Sequence, residues 1–199
     1  MSTTLDYYEL NAEVFAERTQ SIDMEDVYAR FLRYLPKHAK ILDFGCGAGR
    51  DLLNFKNKGF EVEGTDFSQK MVHIAQQHSG AVIRCESFNE LDEFDKYEGI
   101  WACASLLHAE RHELPHILTR IFKALKHYGV CYLSFKYGTQ DRDEGGRHFI
   151  DMDEQQIHEL LKSLNPTNRV LLLQQWISTD KGPERTGEWI NIVIQKHGA

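Results

Sequence analysis

Three glycines in the run Asp43-Phe44-Gly45-Cys46-Gly47-Ala48-Gly49 stand between an apolar segment and a helix-like one. Glycine lets the backbone turn sharply and lets a ligand approach it closely, while a helix start offers unpaired N–H groups. The arrangement suits a nucleotide-like cofactor, although a tight strand-to-helix connection without a ligand uses the same residues. Asp43 lies in an otherwise apolar stretch, where a carboxylate is expensive without a partner; a cationic cofactor group would supply one. Asp66 follows the next apolar run, where a ribose-binding acid belongs in a doubly wound fold, and where an acid also suits the turn before Ser68. A nicotinamide fingerprint would place its third glycine at the position held by Arg50.

Other candidates lie further along. His108 follows the apolar run ending at Cys103, at the carboxyl edge where such sheets bind ligands, and could act as acid, base or substrate contact; a structural histidine fits there too. Lys136, Arg142 and Arg147 flank or occupy a polar stretch read as a long loop, of the kind that forms lids and binding surfaces. With Arg185, Lys136 and Arg147 would suit an anionic substrate. His112-Glu113-Leu114-Pro115-His116 matches the zinc-protease pattern H-E-x-x-H, but that chemistry needs both histidines on one continuous helix. Pro115 is tolerated only in a first helical turn, so the histidines should diverge and no metal is expected. Cys46, Cys85, Cys103 and Cys131 form no C-x-x-C pair and read as free, buried thiols.

The elements that must position these residues alternate. Two helical segments, Glu9 to Arg18 and Met24 to Tyr34, precede Lys40 to Phe44, the first strand. Helices are expected at Arg50–Lys58, Ser68–His78, Leu114–Leu125 and Glu154–Leu164, the last ending before Asn165-Pro166. Strands are expected at Phe60–Thr65, Ala81–Cys85, Gly99–Cys103 and Val130–Lys136. Two further runs, Arg169–Ile177 and Glu188–Lys196, are joined by the turn-rich Ser178 to Pro183, which implies an antiparallel pair. The expectation is an α/β fold in one domain, residues 1–199: a doubly wound, mostly parallel sheet closed by an antiparallel C-terminal hairpin.

The composition fits a globular chain: 42% hydrophobic and 27% charged residues among 199. No apolar run is long enough to span a bilayer, and the N-terminus shows neither basic leader nor cleavage site, so the expected address is the cytoplasm. A net charge of -7 without a basic stripe disfavours a nucleic-acid partner. Nothing in the residues sets an oligomeric state.

Ile41 to Arg50 followed by Val62-Glu63-Gly64-Thr65-Asp66-Phe67-Ser68 resembles the first two motifs of the class I S-adenosylmethionine-dependent methyltransferases. Glu98 to His108 is similar to the family's fourth-strand segment, and Tyr7 to Phe15 to its N-terminal helix. The resemblance implies a seven-stranded Rossmann-like sheet, with residues 1–35 forming helices over the cofactor site. It also implies S-adenosylmethionine as cofactor. Asp43 and the backbone of Gly45, Cys46, Gly47 and Gly49 would hold its methionine part, and Asp66 its ribose, with Phe67 alongside. Tyr8 would cover it and Cys103 would border it. The position that usually offers an acid to adenine falls on Ser87, with Glu86 one residue away and Phe88 able to pack on the ring. Within the family the pattern is similar to small-molecule enzymes of tellurite-resistance and quinone-methylating type.

The fourth-strand segment lacks the Asn/Asp-Pro-Pro-Tyr-like tetrad of many amino-methylating nucleic-acid enzymes, and no Pro-Cys pair of the cytosine enzymes occurs. A small-molecule acceptor follows as the expectation. The rival readings are a nicotinamide-dependent oxidoreductase and a non-catalytic cofactor-binding protein of the same fold.

Overall fold

The computed structural model describes residues 3–164, 170–182 and 186–197. Arg185, the Asn165-Pro166 helix stop and parts of the C-terminal turn lie outside the described residues. Two helices, α1 (Thr4–Thr19) and α2 (Glu25–Leu32), come first. They are followed by β1 (Lys40–Phe44), α3 (Arg50–Asn57), β2 (Glu61–Asp66), α4 (Gln69–Ser79), β3 (Val82–Cys85) and β4 (Tyr97–Ala102). Next come α5 (Leu114–Ala124), β5 (Leu125–Tyr137), β6 (Asp141–Glu144), β7 (Arg147–Met152), α6 (Glu154–Leu164), β8 (Val170–Thr179) and β9 (Glu188–Lys196).

The sheet runs β3-β2-β1-β4-β5 in parallel, then β9 antiparallel to β5 and β8 antiparallel to β9. Those seven strands are the expected sheet. The order turns back between β1 and β4, and the carboxyl ends on either side of such a switch point form a crevice. Leu42, Phe44, Ile100, Ala102, Leu133 and Phe135 are fully buried beneath α5 and α6, whereas Ile41, Trp101 and Tyr132 face α2 and α3 on the other side. This is the strand alternation of a sheet covered on both faces. Among the described residues no helix is long and apolar enough to cross a membrane.

The segment expected to be a long polar loop is instead a hairpin, which brings the sheet to nine strands. β6 pairs with β7 from Asp141↔Ile150 to Glu144↔Arg147, and β7 adds in parallel to the end of β5 through Lys136↔Asp151 and Tyr137↔Met152. The turn is Gly145-Gly146 with φ of 58° and 80°, the left-handed pair that two-residue hairpin loops demand.

α1 is fixed across the carboxyl edge of the sheet. Glu9 accepts from the Ser68 hydroxyl at 2.7 Å and from the Lys70 amide at 3.3 Å, which ties it to α4. At its other end the His148 amide donates to the Thr4 hydroxyl at 2.9 Å, which ties it to β7. Its axis is interrupted at Asn11 (φ -115°, ψ 15°), where the side-chain amide donates back to the Tyr7 carbonyl.

Candidate functional site

The turn after β1 is held by β2. The amides of Gly45 and Cys46 both donate to the Thr65 carbonyl, at 2.9 and 2.8 Å, and the Gly47 amide donates to Asp66 Oδ2 at 2.9 Å. The Ser68 amide takes Asp66 Oδ1 at 2.9 Å. Burial raises the Asp66 carboxyl to about 6 even against these hydrogen bonds. Gly45 sits at φ 80°, and a Cβ there would come within 2.5 Å of Ser105 Cβ and 3.4 Å of the Phe88 ring. The backbone must therefore be bare at that point for Ser105 and Phe88 to approach it.

Above the turn opens a cavity of about 720 Å³, within the range of small-ligand sites at roughly 300–1,000 Å³. Its lining brings together Tyr8, Gly45, Cys46, Gly47, Asp66, Phe67, Phe88, Cys103, His108, Lys136, Arg142 and Arg147 from the residues singled out in the sequence. Asp43, Gly49, Ser87 and Glu86 are not among the lining residues. Asp43 lies behind the turn, 2% exposed, with Oδ2 buried and unpartnered. Burial and the neighbouring Asp51 carboxylate push its pKa well above the usual range. Gly49 is used for packing: at φ 82°, a Cβ would lie 2.9 Å from the Ala75 backbone in α4. Ser87 donates through both its amide and its hydroxyl to Glu90, at 2.7 and 2.8 Å, capping a short helical turn, while Glu86 is bound to Arg84 at 2.8 Å.

His108 has a defined tautomer. Its Nδ1 lies 2.6 Å from the His148 carbonyl, which can only accept, so Nδ1 carries the proton. Nε2 is then an acceptor, and the Tyr8 hydroxyl donates to it at 2.9 Å. Burial lowers the His108 pKa to about 4 and pushes the Tyr8 phenol up to about 12, the latter against the pull of the Arg147 charge. Both groups are neutral near pH 7. Cys103 is likewise a thiol, raised to about 12 by burial.

A buried cluster at the cavity floor escaped the sequence reading. Arg50 is bonded to Asp51 at 2.6 and 3.0 Å, and the same carboxylate accepts from Tyr28 at 2.5 Å and Trp101 Nε1 at 2.7 Å. Burial opposes ionisation of Asp51, but these partners hold its pKa below the ordinary value. Ser105 was also missed; it lines the cavity with a buried hydroxyl that has no partner. His112 sits in the turn Arg111–Glu113 and His116 inside α5, both exposed, with Pro115 in the first turn of α5. Among the described residues no group of three His, Cys, Asp or Glu side chains could hold a metal ion.

Residues 41–129 match the family model described as a methyltransferase domain. The provisionally named methyltransferase YqeM of Bacillus subtilis is 28% identical over 131 residues, 60% of this chain and 52% of that protein. The chain thus spans about half the length of this curated relative. Among solved structures, a SAM-dependent methyltransferase of Methanosarcina mazei superposes with a TM-score of 0.76 at 17% identity, over 89% of this chain and 100% of the other. The 1,6-didemethyltoxoflavin-N1-methyltransferase of Burkholderia thailandensis gives 0.76 at 20% identity, over 96% of this chain and 85% of the other.

The fold is shared with these S-adenosylmethionine-dependent methyltransferase structures, and the part of the chain from β1 to the start of β5 matches a methyltransferase domain. The glycine turn and Asp66 together line one side of the cavity. The unpaired Ser105 hydroxyl on that side, with the unpaired Asp43 oxygen buried behind the turn, fits a ligand with a hydrogen-bonding amino-acid part.

Proposed function

We propose that this chain transfers a methyl group from S-adenosylmethionine to a small-molecule acceptor. The observation that carries the reading is the single cavity joining the bare Gly45–Gly47 backbone and Asp66 to the Tyr8–His108 pair. When bound, the donor supplies an activated methyl group on a sulfonium centre. The chain's part is to orient and desolvate the reacting groups and to manage a proton. With the donor bound, Asp66 would accept from the ribose hydroxyls, Phe88 would border the adenine, and the unpaired Asp43 oxygen behind the turn would be available as a hydrogen-bonding group. Arg50, pinned by Asp51, keeps the floor rigid.

His108 serves as the base through Tyr8. Its Nε2 lone pair already accepts the Tyr8 hydrogen bond, so a proton leaving the acceptor reaches the Tyr8 oxygen as the phenolic proton moves to His108. The His148 carbonyl keeps the imidazole in the one tautomer that can receive it. α1 covers the site and excludes water. The acidic chain, with Asp43, Asp51 and Asp66 buried around the cavity, supports a small molecule over a polyanion. A methyl donor carrying an isotope label, incubated with the purified chain and a metabolite extract, should give a labelled small molecule that is absent with D66A. No labelled product from any extract, with the cofactor bound, would leave a non-catalytic binder.

A further inference from the structure

Among the described residues six cationic side chains line the cavity: Arg18, Arg50, Lys136, Arg142, Arg147 and Lys181. Four are neutralised by the protein. Arg50 pairs with Asp51, Lys136 with Asp180 at 2.6 Å, Arg142 with Asp151, and Lys181 with Asp26. Arg18 is exposed on α1 and needs no partner. Arg147 differs from all five. Its side chain is half-buried and its Nε is fully buried without a hydrogen-bond partner. Among the described residues no carboxylate pairs with it. The guanidinium is held in place by rings, 4.4 Å from the centre of Tyr7 and 4.8 Å from that of Phe149.

A charge withdrawn from water without a counter-ion is unfavourable unless the functional state supplies one. The position is also built: β7 carries Arg147, its neighbour His148 is tied to Thr4 of α1, and the Tyr8–His108 pair stands beside it. We propose that Arg147 is the anchor for the acceptor, and that the acceptor carries a carboxylate on an apolar body. The inference rests on the methyl-transfer reading for what happens to that molecule afterwards. A guanidinium presents parallel N–H donors that match a carboxylate in a bidentate pair, which a point cation would not select. Tyr7, Leu107 and Phe149 supply the apolar wall around it. Anchored there, the acceptor lies against the Tyr8 hydroxyl, which receives its proton.

The test uses the full chain saturated with S-adenosylhomocysteine, titrated by NMR with benzoate and with its neutral isostere benzamide. Benzoate should bind about tenfold or more tighter than benzamide. R147A should bring benzoate down to the benzamide level, and R147K, which keeps the charge and loses the fork, should fall between. Affinity for S-adenosylhomocysteine should be unchanged in both variants. Equal binding of the two probes, or benzoate binding untouched by R147A, overturns the assignment. So does a loss of S-adenosylhomocysteine affinity in R147A, which would give Arg147 to the carboxylate of the donor itself. Should S-adenosylhomocysteine not bind wild-type chain at all, the methyl-transfer reading falls. The same benzoate comparison on free chain then still decides for or against Arg147.

Discussion

Asp66 is asked to accept hydrogen bonds as a carboxylate in a place where burial favours the neutral acid. Its pKa is raised from 3.8 to about 6, so between those values the folded chain holds a proton that the unfolded chain has released. Its contribution to stability is therefore most favourable below about pH 4 and is lost as pH rises through about 6. On the proposed reading ligand binding runs the other way, because two donating ribose hydroxyls require the carboxyl group in its ionised, acceptor-only form. S-adenosylhomocysteine affinity should weaken as pH falls through about 6, and D66N should bind weakly with that pH dependence removed; calorimetry across pH 5 to 8 reads both. The Tyr8–His108 pair makes a second prediction at this scale. If the two act as one relay, Y8F and H108Q should each lower kcat by about 10²-fold or more, and the double variant should lose little beyond either single one. Additive losses in single-turnover kinetics would show independent roles. The residues at 43, 45, 47 and 66 were legible in the sequence because they sit at or just beyond the carboxyl ends of β1 and β2, and His108 because it follows β4. The Arg50–Asp51 cluster was not, since its partners Tyr28 and Trp101 are 23 and 50 positions away from Asp51.

At the scale of elements, the three glycines of the turn divide by task. Gly45 and Gly47 line the cavity, whereas Gly49 lets α3 and α4 meet at the Ala75 backbone. G49A places a side chain at positive φ and into that backbone, and should cost about 1–3 kcal/mol in a urea melt. Folded G49A should keep its S-adenosylhomocysteine affinity. If affinity falls with stability unchanged, Gly49 belongs to the ligand. The parallel strands and their helices could be read directly, because a two-sided sheet demands apolar runs alternating with amphipathic segments. β6 and β7 could not be read that way. β6 is Asp141-Arg142-Asp143-Glu144, an edge strand with one side to water and no apolar alternation to mark it. The one local signal was Gly145-Gly146 two residues wide, the dipeptide of a tight hairpin. That hairpin moves Arg142 and Arg147 from a free loop onto a framed wall of the cavity.

On the scale of the whole molecule, the cavity exists because three separate parts meet at the carboxyl edge of the sheet. The β1 turn gives the floor, α1 the cover, and β7 with the segment after β8 the far wall. Each is tied to another by a specific contact: Gly47 to Asp66, Glu9 to Ser68, and Thr4 to His148. The cover was legible in the sequence only through family resemblance, since the kinked α1 has a weakly apolar face and exposes Leu10 and Val14. The central claim is that this edge receives S-adenosylmethionine, and a calorimetric titration of the purified chain with S-adenosylhomocysteine and, separately, with NAD tests it most directly. The account predicts saturable binding of one S-adenosylhomocysteine per chain, lost in D66A, and no heat from NAD. Binding of NAD with S-adenosylhomocysteine silent would contradict it.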